Sequence, residues 1–145
     1  MYKIFFAADH AGFALKNALI DYARSLGHDA EDLGAFTEDP QDDYPDFVTS
    51  CAYKVAATAG SFGVILGKSG QGEAMAANRI KGVRAAVYYG GPHEAVSLAR
   101  EHNDANVLSL GAGFIREEEA KEAVALFLST PFSGEERHIR RLEKF

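Results

Sequence analysis

The chain has 145 residues, 47% of them hydrophobic, 25% charged and 11% aromatic, which predicts one globular domain over 1–145 and excludes a disordered or low-complexity chain. A formal net charge of −6 leaves no surface-wide positive field for nucleic acid or an anionic membrane, so any bound anion needs a local cluster. One cysteine, Cys51, excludes a disulfide framework; with the first apolar run cut off at Asp9 and no membrane-length apolar stretch, the expectation is a soluble cytoplasmic protein.

The first element in chain order is "KIFFAA" (3–8), a short continuous apolar run of the kind found in strands covered on both faces. "FALKNALIDYARSL" (13–26) follows as a helix, with Leu15, Leu19 and Tyr22 on one stripe and Gly27 as its stop. "HDAEDLG" (28–34) is a weaker strand, expected at a sheet edge. "YPDFVTSCAYKVAAT" (44–58) starts a helix with Pro45 in its first turn. The runs "FGVIL" (62–66), "VRAAVYY" (83–89) and "NVLSLG" (106–111) read as further buried strands. "EAMAAN" begins a helix after the third strand, and "PHEAVSLAREHN" (92–103) and "EEEAKEAVALFLS" (117–129) follow the last two. The chain closes with a helical "SGEERHIRRLEKF". This alternation predicts an α/β fold: a three-layer α/β/α sandwich with a five-stranded parallel Rossmann-like sheet and a C-terminal helix. Ligands in such folds bind beyond the carboxyl ends of the strands, where "ADHAG", "GKSGQGE", "YYGGPH" and "GAGF" fall.

"GKSGQGEAMAANR" (67–79) carries the main chemical signal. It fails as a Walker A loop because Phe62 stands where the first glycine is required. It fails as a dinucleotide fingerprint because Met75 follows Gly70 and Gly72 at the third glycine position. A plain glycine-rich turn is one reading. The other is an anion cradle of backbone N–H groups with Glu73 beside it, which suits a base that creates an enediolate and donors that stabilise it. The helix start lowers the Glu73 pKa and burial raises it; sequence alone leaves that balance open. Asp9 and His10 end the first strand, as a helix cap and a core histidine or as a functional pair. His102 and Asn103 close a helix, where a cation also has a purely structural role. Arg137 and Arg141 share a helix face, suited either to a phosphate or to a solvated surface with Glu135, Glu136 and Glu143 as partners. Cys51 reads as a core residue, His93 as a residue off the site, and no metal-ligand spacing stands out.

The motifs "ADHAG", "DDYPDF", "GKSGQGEAMAANR", "REHNDANVLSLG" and "RHIRR", in this order, resemble the type B ribose-5-phosphate isomerases, a family that also contains allose- and galactose-6-phosphate isomerases. The resemblance implies an aldose–ketose isomerase working through an enediolate, with no metal and no other cofactor. One branch of the family has a Cys base at the position of Gly67. The other has a Glu base in a Gly-Ser-Gly-Asn-Gly-Glu loop, which matches Lys-Ser-Gly-Gln-Gly-Glu here. Glu73 is then the base, Lys68, Ser69, Gly70, Gln71 and Gly72 the anion hole, with the Ser69 hydroxyl near the sugar. Asp9 and His10 contact substrate, and His102, with Asn103 beside it, opens the sugar ring. Arg137 and Arg141 bind phosphate, and the site lies between the subunits of a homodimer. Two departures stand out. Gly113 sits where the family usually has a third phosphate arginine, leaving Lys68 or Arg116 as its substitute. The segment from Arg84 to His102 is also about two residues longer than usual. The implied substrate pair is ribose 5-phosphate and ribulose 5-phosphate. The alternatives are the same chemistry on another sugar, six-carbon or unphosphorylated, or a non-catalytic sugar-phosphate-binding subunit.

Overall fold

The computed structural model describes residues 1–145. Strands and helices alternate as β1 (Lys3–Ala8), α1 (Phe13–Ser25), β2 (Asp29–Asp32), α2 (Tyr44–Ala57), β3 (Phe62–Gly67), α3 (Gln71–Ala77), β4 (Ala85–Tyr88), α4 (Glu94–Asn103), β5 (Val107–Gly111), α5 (Glu117–Ser129) and α6 (Glu136–Leu142). All strand pairs are parallel, in the order β2-β1-β3-β5-β4. Because successive side chains of a strand point to opposite faces, each continuous apolar run feeds two cores. Ile4, Phe6, Val64, Leu66, Leu108 and Leu110 pack with the buried faces of α1, α4 and α5. Phe5, Ala7, Ile65 and Val107 pack with Val48, Cys51 and Val55 of α2. Cys51 is a core residue as read from the sequence, and burial pushes its thiol up to about 12.

The expected three layers and the edge position of the second strand are present. β4 departs from expectation. It covers Ala85–Tyr88 rather than 83–89, lies at the opposite edge, and leaves Ala85, Ala86 and Val87 only partly covered. An apolar run carries no information about how many neighbours its strand will have. The longer 84–102 segment is taken up after β4, where Gly90 and Gly91 both adopt positive φ (115° and 91°) and turn the chain into α4.

One buried ion pair shapes the route from β2 toward the site. Lys16 on α1 is 0% exposed, and its Nζ lies 2.7 Å from both carboxylate oxygens of Asp32 at the end of β2. Asp32 Oδ1 also accepts the Gly34 N–H at 2.9 Å. The next residues lie along the end of β1: Ala8 N–H donates to the Gly34 carbonyl (2.8 Å) and Ala35 N–H to the Ala8 carbonyl (2.6 Å). The pair therefore ties α1, β2 and the segment that leads to Asp42 into one unit. Removing one partner of a buried pair leaves the other charge uncompensated. Asp32→Ala is expected to cost about 3 kcal/mol, the low end of the usual range because Asp32 is partly open. Urea unfolding at neutral pH measures this, and a loss under about 0.5 kcal/mol, as for an ordinary surface change, contradicts it.

Candidate active site at the carboxyl end of the sheet

The glycine loop leaves β3 and lies along the end of β5. Ala112 N–H donates to the Gly67 carbonyl (2.8 Å), Gly113 N–H to the Lys68 carbonyl (2.9 Å), and the buried Ser109 hydroxyl to the Gly70 carbonyl (2.7 Å). The loop carbonyls are thus tied to β5 on one side. Gly70 takes φ 77° at the start of α3, a left-handed conformation that favours glycine. Ser69 Oγ accepts the Gln71 N–H at 3.3 Å.

Glu73 folds back over this loop. It is 4% exposed, and a Cβ added to Gly67 would overlap its carboxylate. The bare Gly67 is therefore the space in which the carboxylate sits. Burial is the main force on its pKa and raises it above the ordinary Glu value; the nearby Asp9 charge raises it further. The N–H groups of Glu73 itself and of Gly70 act the other way. The balance left open by the sequence falls on the side of burial. Gly72 is bare for a related reason: a side chain there would strike the Tyr44 phenol, which α2 brings against the loop.

Asp9 and His10 stand beyond β1. Asp9 is buried, and its Oδ1 accepts the Ala11 N–H at 3.0 Å; α1 begins later, at Phe13, without a side-chain cap. The helix-cap reading of Asp9 is therefore replaced by a local turn. His10 is half-exposed rather than a core histidine. Its Nδ1 lies 2.6 Å from Asp42 Oδ1, which also accepts the His10 N–H at 3.2 Å. Asp42 was not singled out in the sequence because it stands among several acids in "EDPQDDYPD", and only the folded route from β2 selects it. Asp9, His10 and Asp42 offer ligand-type atoms within 4.8 Å of one another, and the His10–Asp42 hydrogen bond accounts for the closeness of that pair.

The remaining candidates lie elsewhere. His102 and Asn103 end α4, which leads into the start of β5, whereas Gly67 pairs in register with Gly111 at its end. The length of β5, about 13 Å at ~3.3 Å per residue, separates the two groups. His102 stacks on the buried His138 of α6, with ring centroids 4.3 Å apart and planes 16° from parallel. Arg137 and Arg141 are exposed on the same short helix. Arg137 Nε is 2.8 Å from Glu135, as the surface reading expected, while Arg141 has no carboxylate partner. A single chain therefore brings Asp9, His10 and residues 68–73 together at one end of the sheet, and His102, Asn103, Arg137 and Arg141 together at the other. His93 lies against Tyr88 and 3.7 Å from Glu122, outside both groups.

Residues 4–145 match the family model described as Ribose/Galactose Isomerase. Ribose-5-phosphate isomerase B of Mycobacterium tuberculosis is 39% identical over 141 residues, covering 97% of this chain and 86% of that protein. Among solved structures, ribose-5-phosphate isomerase B of Mycoplasma genitalium with bound ribulose-5-phosphate superposes with a TM-score of 0.93 at 38% identity, covering 99% of this chain and 93% of the other. The ribose 5-phosphate isomerase of Thermotoga maritima gives a TM-score of 0.92 at 40% identity, covering 99% and 96%. The chain belongs to the ribose/galactose isomerase family.

The His10–Asp42 contact has a measurable consequence. Its hydrogen bond is the largest effect on His10 and raises the imidazole pKa above its ordinary value, with Asp9 and Asp39 adding to it. Asp42→Asn is expected to lower the His10 titration midpoint in an NMR pH series. An unchanged midpoint contradicts the assignment.

Proposed function

We propose that this chain is an aldose–ketose isomerase interconverting ribose 5-phosphate and ribulose 5-phosphate, with Glu73 as the proton-transferring base. The observation that carries this reading is the buried Glu73 carboxylate seated over Gly67, beside a loop with free backbone donors. With the ring open, Glu73 takes the proton from C2 of the aldose, next to the C1 carbonyl. The electron pair left behind forms the enediolate, whose charge rests on oxygen. Glu73 returns the proton to C1, the O2 proton moves to O1, and the carbonyl is now at C2. The Ser69 and Gly72 N–H groups make no hydrogen bond within the chain and are free to meet the developing oxyanion. The backbone of Lys68, Gly70 and Gln71 completes that wall, and the Ser69 hydroxyl faces the sugar. A carboxylate whose pKa is raised toward the working pH is a stronger base than an ordinary one. Asp9 and His10 hold the sugar hydroxyls.

The same reading assigns ring opening to His102, with Asn103 beside it, and the phosphate to Arg137 and Arg141. One chain keeps these on the far end of the sheet from Glu73, so the site needs a second copy. The active enzyme in this reading is a homodimer in which each Glu73 faces the partner's α4 and α6. The carboxyl-end face is suited to being covered, since Phe36, Met75, Tyr89 and Phe114 are all exposed there. No helix is long and apolar enough to cross a membrane, and the negative net charge gives nucleic acid no general attraction.

An isomerase assay over pentose and hexose phosphates tests the substrate, and highest kcat/KM on a six-carbon phosphate or a free sugar contradicts it. Glu73→Gln is expected to lower kcat by about 10²–10⁴-fold with KM changed by less than about tenfold. Turnover within a few fold of the parent removes Glu73 from the mechanism. The stability effect has the opposite sign. A carboxyl whose folded pKa is raised contributes stability at low pH, lost as pH rises through that pKa. At neutral pH the buried charge is a cost, so Glu73→Gln is expected to unfold at equal or higher urea concentration than the parent.

Subunit sharing has its own test. Glu73→Gln and His102→Ala dimers should each be nearly inactive. After mixing with subunit exchange, about a quarter of the sites hold both native groups, and activity returns to about that fraction. No recovery, with exchange verified, contradicts a shared site.

A further inference from the structure

We infer that Lys68 is an anion-binding residue for the substrate phosphate, and that Gly113 is a glycine because the Lys68 stem and carbonyl lie across it. This rests on the sugar-phosphate reading above and adds a specificity residue to it. Gly113 does not take the left-handed conformation that favours glycine, so the reason for its lacking a side chain is space. A Cβ built there would come within 3.0 Å of Lys68 Cγ and 3.0 Å of the Lys68 carbonyl oxygen. The lysine stem occupies the bare face of Gly113, and the Gly113 N–H donates to the Lys68 carbonyl at 2.9 Å. Stem and backbone are fixed together at the rim of the glycine loop.

The ammonium group is uncommitted. Lys68 is exposed and within 4.0 Å of no carboxylate, as are Lys54, Lys81 and Lys144; of these four, only Lys68 stands in a loop that follows the carboxyl end of a strand. In a chain of net charge −6 with 21 acidic residues, a lysine at the rim of the site with no carboxylate within 4.0 Å is a cation left open to an anionic ligand. Arg116, the other cation near the end of β5, is already engaged: its Nε lies 3.1 Å from Glu119 and it begins the capping arrangement of α5. Of the two possible substitutes, Lys68 is the free one. Lys68 and Gly113 lie against each other, so this cation stands in the glycine loop at the end of β5.

The test compares the parent, Lys68→Met, Lys68→Arg and the exchange Lys68→Gly with Gly113→Arg. Each is assayed for KM and kcat on ribose 5-phosphate, and by calorimetry for binding of ribose 5-phosphate and of inorganic phosphate. Lys68→Met is expected to raise KM and weaken both bindings about tenfold, the loss of one charge-assisted contact, with kcat changed less than about twofold. Lys68→Arg should recover most of the affinity, and the exchanged pair more than Lys68→Met. Unchanged binding in Lys68→Met overturns the assignment. So does a fall in kcat at constant KM, or weaker dimerisation in sedimentation with phosphate affinity intact, which would make Lys68 a subunit contact. The calorimetric arm separates this inference from the isomerase reading. If the parent binds phosphate through Lys68 but does not turn over ribose 5-phosphate, only the isomerase reading fails.

Discussion

The site depends on a space with nothing in it. Gly67 ends the central strand without a side chain, and the Glu73 carboxylate lies where one would be. Any residue larger than glycine there would expel the carboxylate from its cover. Three features keep the space shaped for it: the Ser109 hydroxyl holds the Gly70 carbonyl, Gly70 turns the chain with a positive φ, and the Ala112 and Gly113 N–H groups just after β5 hold the Gly67 and Lys68 carbonyls. The carboxylate is both buried and next to backbone donors. Burial raises its pKa, and the backbone donors oppose that rise.

The parallel sheet imposes the second constraint. Each helix that follows a strand runs back to the sheet's amino end before the next strand begins. Residues at helix C-termini, such as His102, therefore lie as far from the strand carboxyl ends as the sheet allows. The His102–His138 stack packs α6 against the end of α4, so that His102, Arg137 and Arg141 form one connected unit. A second copy of the chain can present that unit to Glu73, which is the reason the proposed enzyme is a dimer.

Much of the fold was legible in the sequence because the strands are short apolar runs bounded by polar, glycine-rich turns. All five strands and the edge position of β2 were read correctly in kind. The exposed edge of β4 was not, since neighbour count leaves no mark on an apolar run. In the site, Glu73 and the Asp9–His10 pair stand at strand ends and were visible there. Asp42 was hidden among other acids, Tyr44 looked like an ordinary first-turn residue, and the Lys16–Asp32 pair joins positions 16 residues apart. His138 stands within a charged run, and its burial on the inner side of α6 depends on packing against α4. The direction of the Glu73 shift also needed the fold, because the opposing influences differ only in how deeply the carboxylate is buried.

The account turns on that depth, so the most direct measurement is the titration of Glu73 itself. Carbon-13 NMR of glutamate-labelled protein, with Glu73→Gln used to assign the resonance, gives its midpoint in the free enzyme. The account predicts a midpoint above the ordinary glutamate value, with the acid limb of kcat/KM following it. A midpoint at or below the ordinary value would mean that the backbone donors outweigh burial, and that Glu73 is not the tuned base the structure is built around.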